Sequence, residues 1–212
     1  MPSSNIQSAC YVLLTDYDMP HIQRVSLMTL EAYAKSRKDF RAKVIAHKKR
    51  RTVHLGDHIT LLFEDELTVR YQVQEMLRIE RIFEEAGIED ELHAYNPLIP
   101  DGNNLKATML IEYEDPDERA AMLAKLKGIE DKIWVQIAGQ PRVFAVADED
   151  LERENDQKTS SVHFLRFEFN VTMVKALKGG ADLAMGSDHG AYRISVDEIN
   201  PVTREALVMD FA

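Results

Sequence analysis

Apolar residues recur every three or four positions near the start of the chain. In residues 20–46 the spacing of Ile22, Val25 and Met28 predicts a long N-terminal helix, because side chains at such spacings share one helix face. Pro20 fits the first turn of that helix, where the N–H that proline lacks would have no partner. We therefore expect a long helix before the first strand.

The period changes to two in residues 52–64, where apolar and polar residues alternate. Such alternation is typical of half-buried strands, and Gly56 and Asp57 interrupt it with a turn signal, so we expect a β-hairpin. The period of three to four residues then returns in residues 67–86 and predicts a second helix. Gly87 follows it, and glycine is common just beyond the C-terminus of a helix.

The rest of the chain mixes shorter strand and helix patterns. Pro97, Pro100 and Gly102 mark residues 94–104 as a loop. We predict strands in residues 108–113, 132–137, 142–147, 162–169, 181–185 and 192–196, and helices in residues 115–128, 170–178 and 200–211. Hairpins mixed with single helices favour an α+β fold with a mixed or antiparallel sheet, a long N-terminal helix and a central core-facing helix.

One segment has the composition of a boundary between regions. Residues 148–161 read DEDLERENDQKTSS, charged at first and then small and polar, which is typical of an acidic linker. Residues 1–147 would hold the N-terminal helix, the hairpin and the core-facing helix, and residues 162–212 a C-terminal α+β region. We expect both regions to pack on the same core and form one globular unit.

Composition and charge exclude several classes of protein. The 212 residues include 36 Asp and Glu against 26 Lys and Arg, a net charge of −10, which argues against broad nucleic-acid binding because phosphates repel such a chain. The single Cys10 excludes an internal disulfide framework. No Gly-x-Ser-x-Gly motif supports a serine hydrolase. Because neither a signal peptide nor a membrane-spanning run is present, we expect a cytoplasmic protein without membrane association.

Polar side chains fall on the apolar face of the helix predicted over residues 67–86. On a helical wheel, Gln72, Glu75 and Glu80 lie within the apolar arc, whereas Gln74 lies on the polar arc. The apolar arc is formed by Val69, Val73, Met76, Ile79, Ile82 and Phe83. Burying a charge is costly unless it is paired or binds a cation, so Glu75 and Glu80 are predicted to meet positive partners.

Two interpretations of these carboxylates remain open. In the functional one, Gln72, Glu75 and Glu80 face a ligand pocket, or a divalent iron, manganese or zinc ion, since core-facing carboxylates hold metals in helix bundles. A metal site would then consist of Glu75, Glu80 and a nitrogen from His163 or His189. In the structural one, the carboxylates bond to backbone N–H groups or to arginines. The arginines in question are Arg50, Arg51 and Arg166. If the carboxylates face a pocket instead, these arginines would hold the ligand.

Two histidines deserve separate interpretations. His163 lies in the alternating strand pattern beside apolar neighbours, so a buried histidine with satisfied hydrogen bonds is the simpler interpretation. His189 follows Asp188 between Gly186 and Gly190, where we predict a loop. An Asp-His pair there could orient an imidazole for acid–base chemistry or metal binding, or Asp188 could simply stabilise a turn.

Residues 35–51 carry nine basic residues and one acidic residue, Asp39. Such a segment could bind a nucleotide, a nucleic acid or an acidic partner. It could equally be a solvated helix end, where cations complement the helix dipole. No glycine-rich phosphate loop accompanies it, which favours the structural interpretation.

Residues 47–102 resemble a bacterial family of uncharacterised proteins, the domain-of-unknown-function 3501 family. The most specific part is the Gln-x-x-Glu-Met run from Gln72 to Met76, and residues 162–169 and the Asp188-His189 pair with Tyr192 resemble the family as well. The resemblance covers nearly the whole chain after residue 18. Gly190 stands where the family pattern has proline.

The resemblance implies a setting rather than an activity. Genes of this family are often found beside rubrerythrin and an iron–sulfur oxidoreductase, which implies a role in peroxide, oxygen or metal stress. We therefore expect an accessory or ligand-binding protein that acts with such partners. The alternatives are a metal-dependent enzyme that uses core-facing carboxylates, and a nucleotide or nucleic-acid binder that uses the basic segment.

Overall fold

The computed structural model of the protein describes residues 21–151 and 153–212. Pro20, predicted in the first helical turn, and Cys10 lie outside the described residues. Within these ranges there are six helices, α1 Leu30–Lys49, α2 Glu66–Ile79, α3 Glu85–Tyr95, α4 Pro116–Lys125, α5 Val171–Lys178 and α6 Pro201–Val208. The strands are β1 Thr52–Leu55, β2 Ile59–Phe63, β3 Asn104–Ile111, β4 Ile133–Ile137, β5 Arg142–Phe144, β6 Val146–Ala147, β7 Val162–Glu168, β8 Leu183–His189 and β9 Tyr192–Val196.

The strands form two antiparallel sheets. In the first sheet the order is β1-β2-β3-β7-β6, and in the second it is β5-β4-β8-β9. β1 and β2 make the predicted hairpin, in which Leu55 pairs with Ile59. Gly56 takes φ +70° in the turn, a conformation that suits glycine. Antiparallel sheets combined with separate helices confirm the prediction of an α+β fold.

Apolar side chains of both sheets form the main hydrophobic core. Alternation places Leu61 and Phe63 of β2 in this core, and both are fully buried. Helices α4, α5 and α6 add leucine and methionine side chains to it. Met109 of β3 and Phe167 of β7 belong to the same core, so it contains residues from both sides of the segment 148–161.

A second apolar cluster joins α2, α3 and the segment before α1. From α2 come Val69, Val73 and Leu77, which recur every four residues, and from α3 come Ile88 and Leu92. The cluster is completed by Ile22, Leu27 and Ile99. The apolar stripe of α2 is therefore buried against its helical neighbours.

The helix predicted over residues 67–86 is in fact two helices. α2 ends before Glu80, its C-terminal cap, and Arg81 takes a left-handed conformation with φ +55° that turns the chain. Gly87, predicted to end a helix, lies instead in the first part of α3. The apolar spacing continues across the break because Ile82 packs against the second cluster, so the pattern shows no sign of the turn.

Thr29 determines where α1 begins. Its hydroxyl accepts a hydrogen bond from the N–H of Ala32 at 3.2 Å, as an N-cap residue does, so α1 begins at Leu30 and not at residue 20 as predicted. The segment before it contains the 3₁₀ turn Arg24–Ser26. None of the described helices is long and apolar enough to cross a lipid bilayer.

Candidate functional site

Glu75 of α2 is buried and meets a positive partner on α1. Its two carboxylate oxygens each lie 2.7 Å from a guanidinium nitrogen of Arg37, and the hydroxyl of Tyr33 donates to Oε1 at 2.5 Å. The hydrogen bonds from Arg37 lower the pKa of Glu75 from 4.5 to about 2, burial opposes this shift, and Tyr33 supports it. The predicted need for a cation beside Glu75 is thus met within the protein.

The other polar residues predicted on the inner face of this helix do not join Glu75. Glu80 is exposed because α2 ends there, and Gln72 is half-buried. Gln74, predicted on the polar face, is instead fully buried, since the segment before α1 covers that side of α2. Its side-chain oxygen accepts from the N–H of Met28 at 2.8 Å. The predicted wheel is therefore wrong for Gln74 and Glu80.

Arg51 is buried and serves the fold, whereas Arg50 is exposed. The guanidinium of Arg51 forms an ion pair with Asp210. It donates to the main-chain oxygens of Phe63, Glu64 and Ala206 at 3.0, 3.0 and 2.9 Å. Arg50 and Arg51 border a depression of about 640 Å³ beside α6, away from the contacts of Glu75. In the basic segment, Arg37 and Arg51 are thus already paired internally.

A cleft of about 880 Å³ lies between α3 and the face of β3 and β7 that points away from the main core. Lys106 of β3 and Arg166 of β7 are paired in register, so alternation places both side chains on that face. Its apolar walls include Met76, Tyr95 and Phe164. Of the six residues predicted to bind a ligand, Arg166 is the one that lines this cleft.

The cations of the cleft are already occupied by internal partners. Lys106 Nζ donates to the carbonyl oxygens of Pro97 and Ile99 at 2.8 and 2.9 Å, and burial lowers the pKa of Lys106. Arg166 forms two hydrogen bonds of 2.8 Å with Glu149 and is also paired with Glu168. The third cation is Arg153, which pairs with Asp150 and stacks over Phe164. These paired side chains form the floor of the cleft.

Glu91 of α3 is the acidic side chain of the cleft to which the described residues supply neither an ion pair nor a hydrogen bond. Burial raises the pKa of its carboxyl, and the nearby carboxyls of Glu80 and Asp90 raise it further. Within the described residues Glu91 forms no ion pair, whereas Glu64 accepts hydrogen bonds from two threonine hydroxyls. Because the cleft is lined by five acidic side chains and three Lys or Arg side chains, the formal net charge of its lining is negative.

The histidines predicted as metal ligands do not lie beside Glu75 or Glu80. His163 is fully buried, and its Nδ1 lies 2.5 Å from Asp148 Oδ2. The structure places this histidine in the interior, beside a carboxylate that the sequence did not indicate. His189 lies at the end of β8 and not in a loop, because it pairs with Tyr192 of β9 across a tight turn. The predicted metal set is therefore not brought together.

A family model described as a protein of unknown function, DUF3501, matches residues 21–211 of the chain. The protein belongs to the DUF3501 family. In sequence, the chain is 54% identical to a novel protein of unknown function from Burkholderia pseudomallei K96243. The crystal structure of that protein matches this structure with a TM-score of 0.87. That similarity covers 90% of this DUF3501 chain and 99% of the other. No curated protein matches the chain.

Sequence reasoning about this DUF3501 protein missed Glu91, although a signal for it was present. Glu91 lies three residues beyond Ile88, four before Tyr95 and next to Leu92, so it falls on the apolar stripe of α3 just as Glu75 does on α2. The signal was hidden because a single helix ending at Gly87 was predicted. Lys106 gives a second signal, since it follows buried Leu105 in an alternating strand.

Proposed function

We propose that this DUF3501 protein is a binding protein whose cleft takes a small organic molecule with an apolar body and a cationic group. The observation that carries the proposal is Glu91, a half-buried carboxyl that lines the cleft without a counter-ion among the described residues. A ligand ammonium placed beside it would supply the missing charge. The interaction would be strengthened by the partial exclusion of water.

The walls of the cleft match the apolar part of such a ligand. Tyr95, Leu98 and Phe164 present aromatic and aliphatic surface, a composition typical of small-molecule sites. An anionic ligand fits less well, since Lys106 and Arg166 already have acceptors on each side. The arrangement therefore selects amines over carboxylates.

A pair of matched probes tests this selectivity. We expect phenethylamine to raise the melting temperature of the protein and phenylacetate to leave it unchanged. Replacing Glu91 by Gln should weaken phenethylamine binding by about tenfold or more, because a charge-assisted hydrogen bond is lost. Glu89→Gln, on the exposed side of the same helix, is the control and should bind as the wild type does. Equal binding of both probes, or an unchanged Glu91→Gln variant, would refute the proposal.

The proposal includes an accessory role beside rubrerythrin or an iron–sulfur oxidoreductase in the cytoplasm, in line with the setting that the family resemblance implies. Ile79 and Phe83, predicted on an apolar helix face, are instead 57% and 68% exposed at the α2–α3 turn, and such side chains suit contact with a partner. Purified rubrerythrin should sediment together with the protein, and less so with a Phe83→Ser variant. Independent sedimentation of the two proteins would contradict this role.

A further inference from the structure

Three side chains from distant parts of the chain meet beside the main core. Glu130 lies in the 3₁₀ turn Glu130–Lys132, Asp148 directly follows β6, and His163 belongs to β7. One ligand atom from each of them lies within 4.8 Å of the others. None of these residues lines the cleft, although Arg153 of the cleft also pairs with Asp148 at 3.4 Å.

Asp148 holds the imidazole of His163 in one orientation. Its Oδ2 lies 2.5 Å from Nδ1, and its Oδ1 accepts from the N–H of Phe164 at 3.0 Å. A carboxylate on one ring nitrogen directs the other nitrogen outward, and metal-binding histidines are oriented in this way in many proteins. Nε2 of His163 is therefore presented to the space next to Glu130.

Around His163 Nε2 the structure places three oxygen atoms. Thr159 Oγ1 and Ser160 O each lie 3.0 Å away, and Glu130 Oε2 lies 4.0 Å away. Nε2 has one hydrogen-bonding direction, so it bonds well to only one of them. In a tetrahedral site with bonds of about 2.0–2.1 Å, two ligand atoms are about 3.4 Å apart, and the observed distances lie on both sides of that value.

Glu130 supplies a second, independent observation. The residue is only 9% exposed, and within the described residues its Oε2 is buried without any hydrogen-bond partner. Burial raises the pKa of this carboxyl. A buried carboxylate oxygen without a partner is costly and is stabilised when a cation binds to it.

We propose that His163 Nε2, Glu130 Oε2, Thr159 Oγ1 and Ser160 O bind one divalent transition-metal ion, with Asp148 as the positioning residue for the imidazole. One nitrogen and three oxygens suit Zn²⁺, Mn²⁺ or Fe²⁺. Because His163 and Thr159 are at most 1% exposed, the site is closed, and its ion stabilises the segment 148–161 against β7.

The test uses the full chain after removal of metals with a chelator. We expect calorimetric titration with Zn²⁺ or Mn²⁺ to show one site per chain, and the bound ion to raise the melting temperature. Glu130→Gln keeps the size of the side chain and removes the charged ligand, and it should weaken metal binding by about a hundredfold. Glu168→Gln changes an exposed carboxylate of β7, the strand that carries His163, and this control should bind as the wild type does.

Two outcomes would overturn the proposal. The first is a wild-type protein that neither binds Zn²⁺ or Mn²⁺ nor gains thermal stability from them. The second is a Glu130→Gln variant that binds the ion as tightly as the Glu168→Gln control does. Because Glu130→Gln leaves the cleft unchanged, failure here is distinguishable from failure of the amine-binding proposal.

Discussion

Arg37 of α1 and Glu75 of α2 meet through two parallel hydrogen bonds, from Nε to Oε1 and from Nη2 to Oε2, both 2.7 Å long. This forked geometry is the strongest form of an arginine–carboxylate pair. It joins the long N-terminal helix to the helix that carries the second apolar cluster. Tyr33, one turn before Arg37, donates to the same carboxylate, so two residues of α1 hold Glu75 in place.

Replacing Glu75 by Gln should destabilise the protein. The substitution removes the charge that Arg37 and Tyr33 satisfy, and we expect a loss of about 2–3 kcal/mol in the free energy of unfolding. Chemical denaturation measures this loss. Glu80→Gln is the control, because Glu80 is exposed and its substitution should change stability by less than about 0.5 kcal/mol. Equal stability of the two variants would contradict a stabilising role for the pair.

The same carboxylate predicts how stability depends on pH. In the folded protein the pKa of Glu75 is lowered from 4.5 to about 2, chiefly by Arg37, so the folded state keeps this group ionised where the unfolded chain is protonated. The contribution of Glu75 to the free energy of unfolding is fully present above pH 4.5 and is lost as the pH falls towards about 2. Between these values the wild type should lose more stability than the Glu75→Gln variant. If the free energies of unfolding of the two proteins fall in parallel over this pH range, Glu75 does not contribute to the pH dependence.

Substitution of Arg51 should affect the fold rather than ligand binding. Arg51→Lys keeps the charge but cannot reach three carbonyl oxygens and Asp210 together, so we expect a loss of about 3–5 kcal/mol. Arg50→Lys, at the neighbouring exposed position, should be nearly neutral. If Arg51→Lys does not yield folded protein, Asp210→Asn removes the partner with little change in size. An unchanged unfolding transition in Arg51→Lys would refute this role.

Two glycines of β8 and the turn after it should respond differently to alanine. A Cβ at Gly186 would contact the backbone oxygen of Ile194 and the ring of Trp134, so Gly186→Ala should cost about 1–3 kcal/mol. Gly190 has open space around it, and Gly190→Ala should be neutral within about 0.5 kcal/mol. Trp134 is the single tryptophan, so its fluorescence reports the disturbance directly. Equal stability of both variants would contradict the close packing at Gly186.

Much of the fold was predictable because each strand has one buried face. The alternation in β2 and β7 directly reflects the main core on one side and a partly open surface on the other. The break at Arg81 was not predictable from periodicity, since apolar residues before and after the turn pack into the same second cluster. The start of α1 depends on a single threonine hydroxyl at Thr29.

The need of Glu75 for a cation was predictable, but the partner that meets this need was not. The position of Glu75 among apolar residues correctly indicated that a cation must meet it, yet the cation comes from α1, and the wheel of one helix cannot show which other element packs against it. For the same reason Gln74 appeared exposed although Met28 covers it. His163 was expected to be buried and satisfied, but Asp148 lies in a stretch whose composition suggested only a linker.

The pairing of β3 with β7 has a consequence for the chain as a whole. β3 precedes the segment 148–161 and β7 follows it, yet they are neighbours in the middle of one sheet. If the gene were split within that segment, each fragment would present an unsatisfied strand edge. The two halves should therefore recover their native shape only when they are produced together, as complementing fragments do.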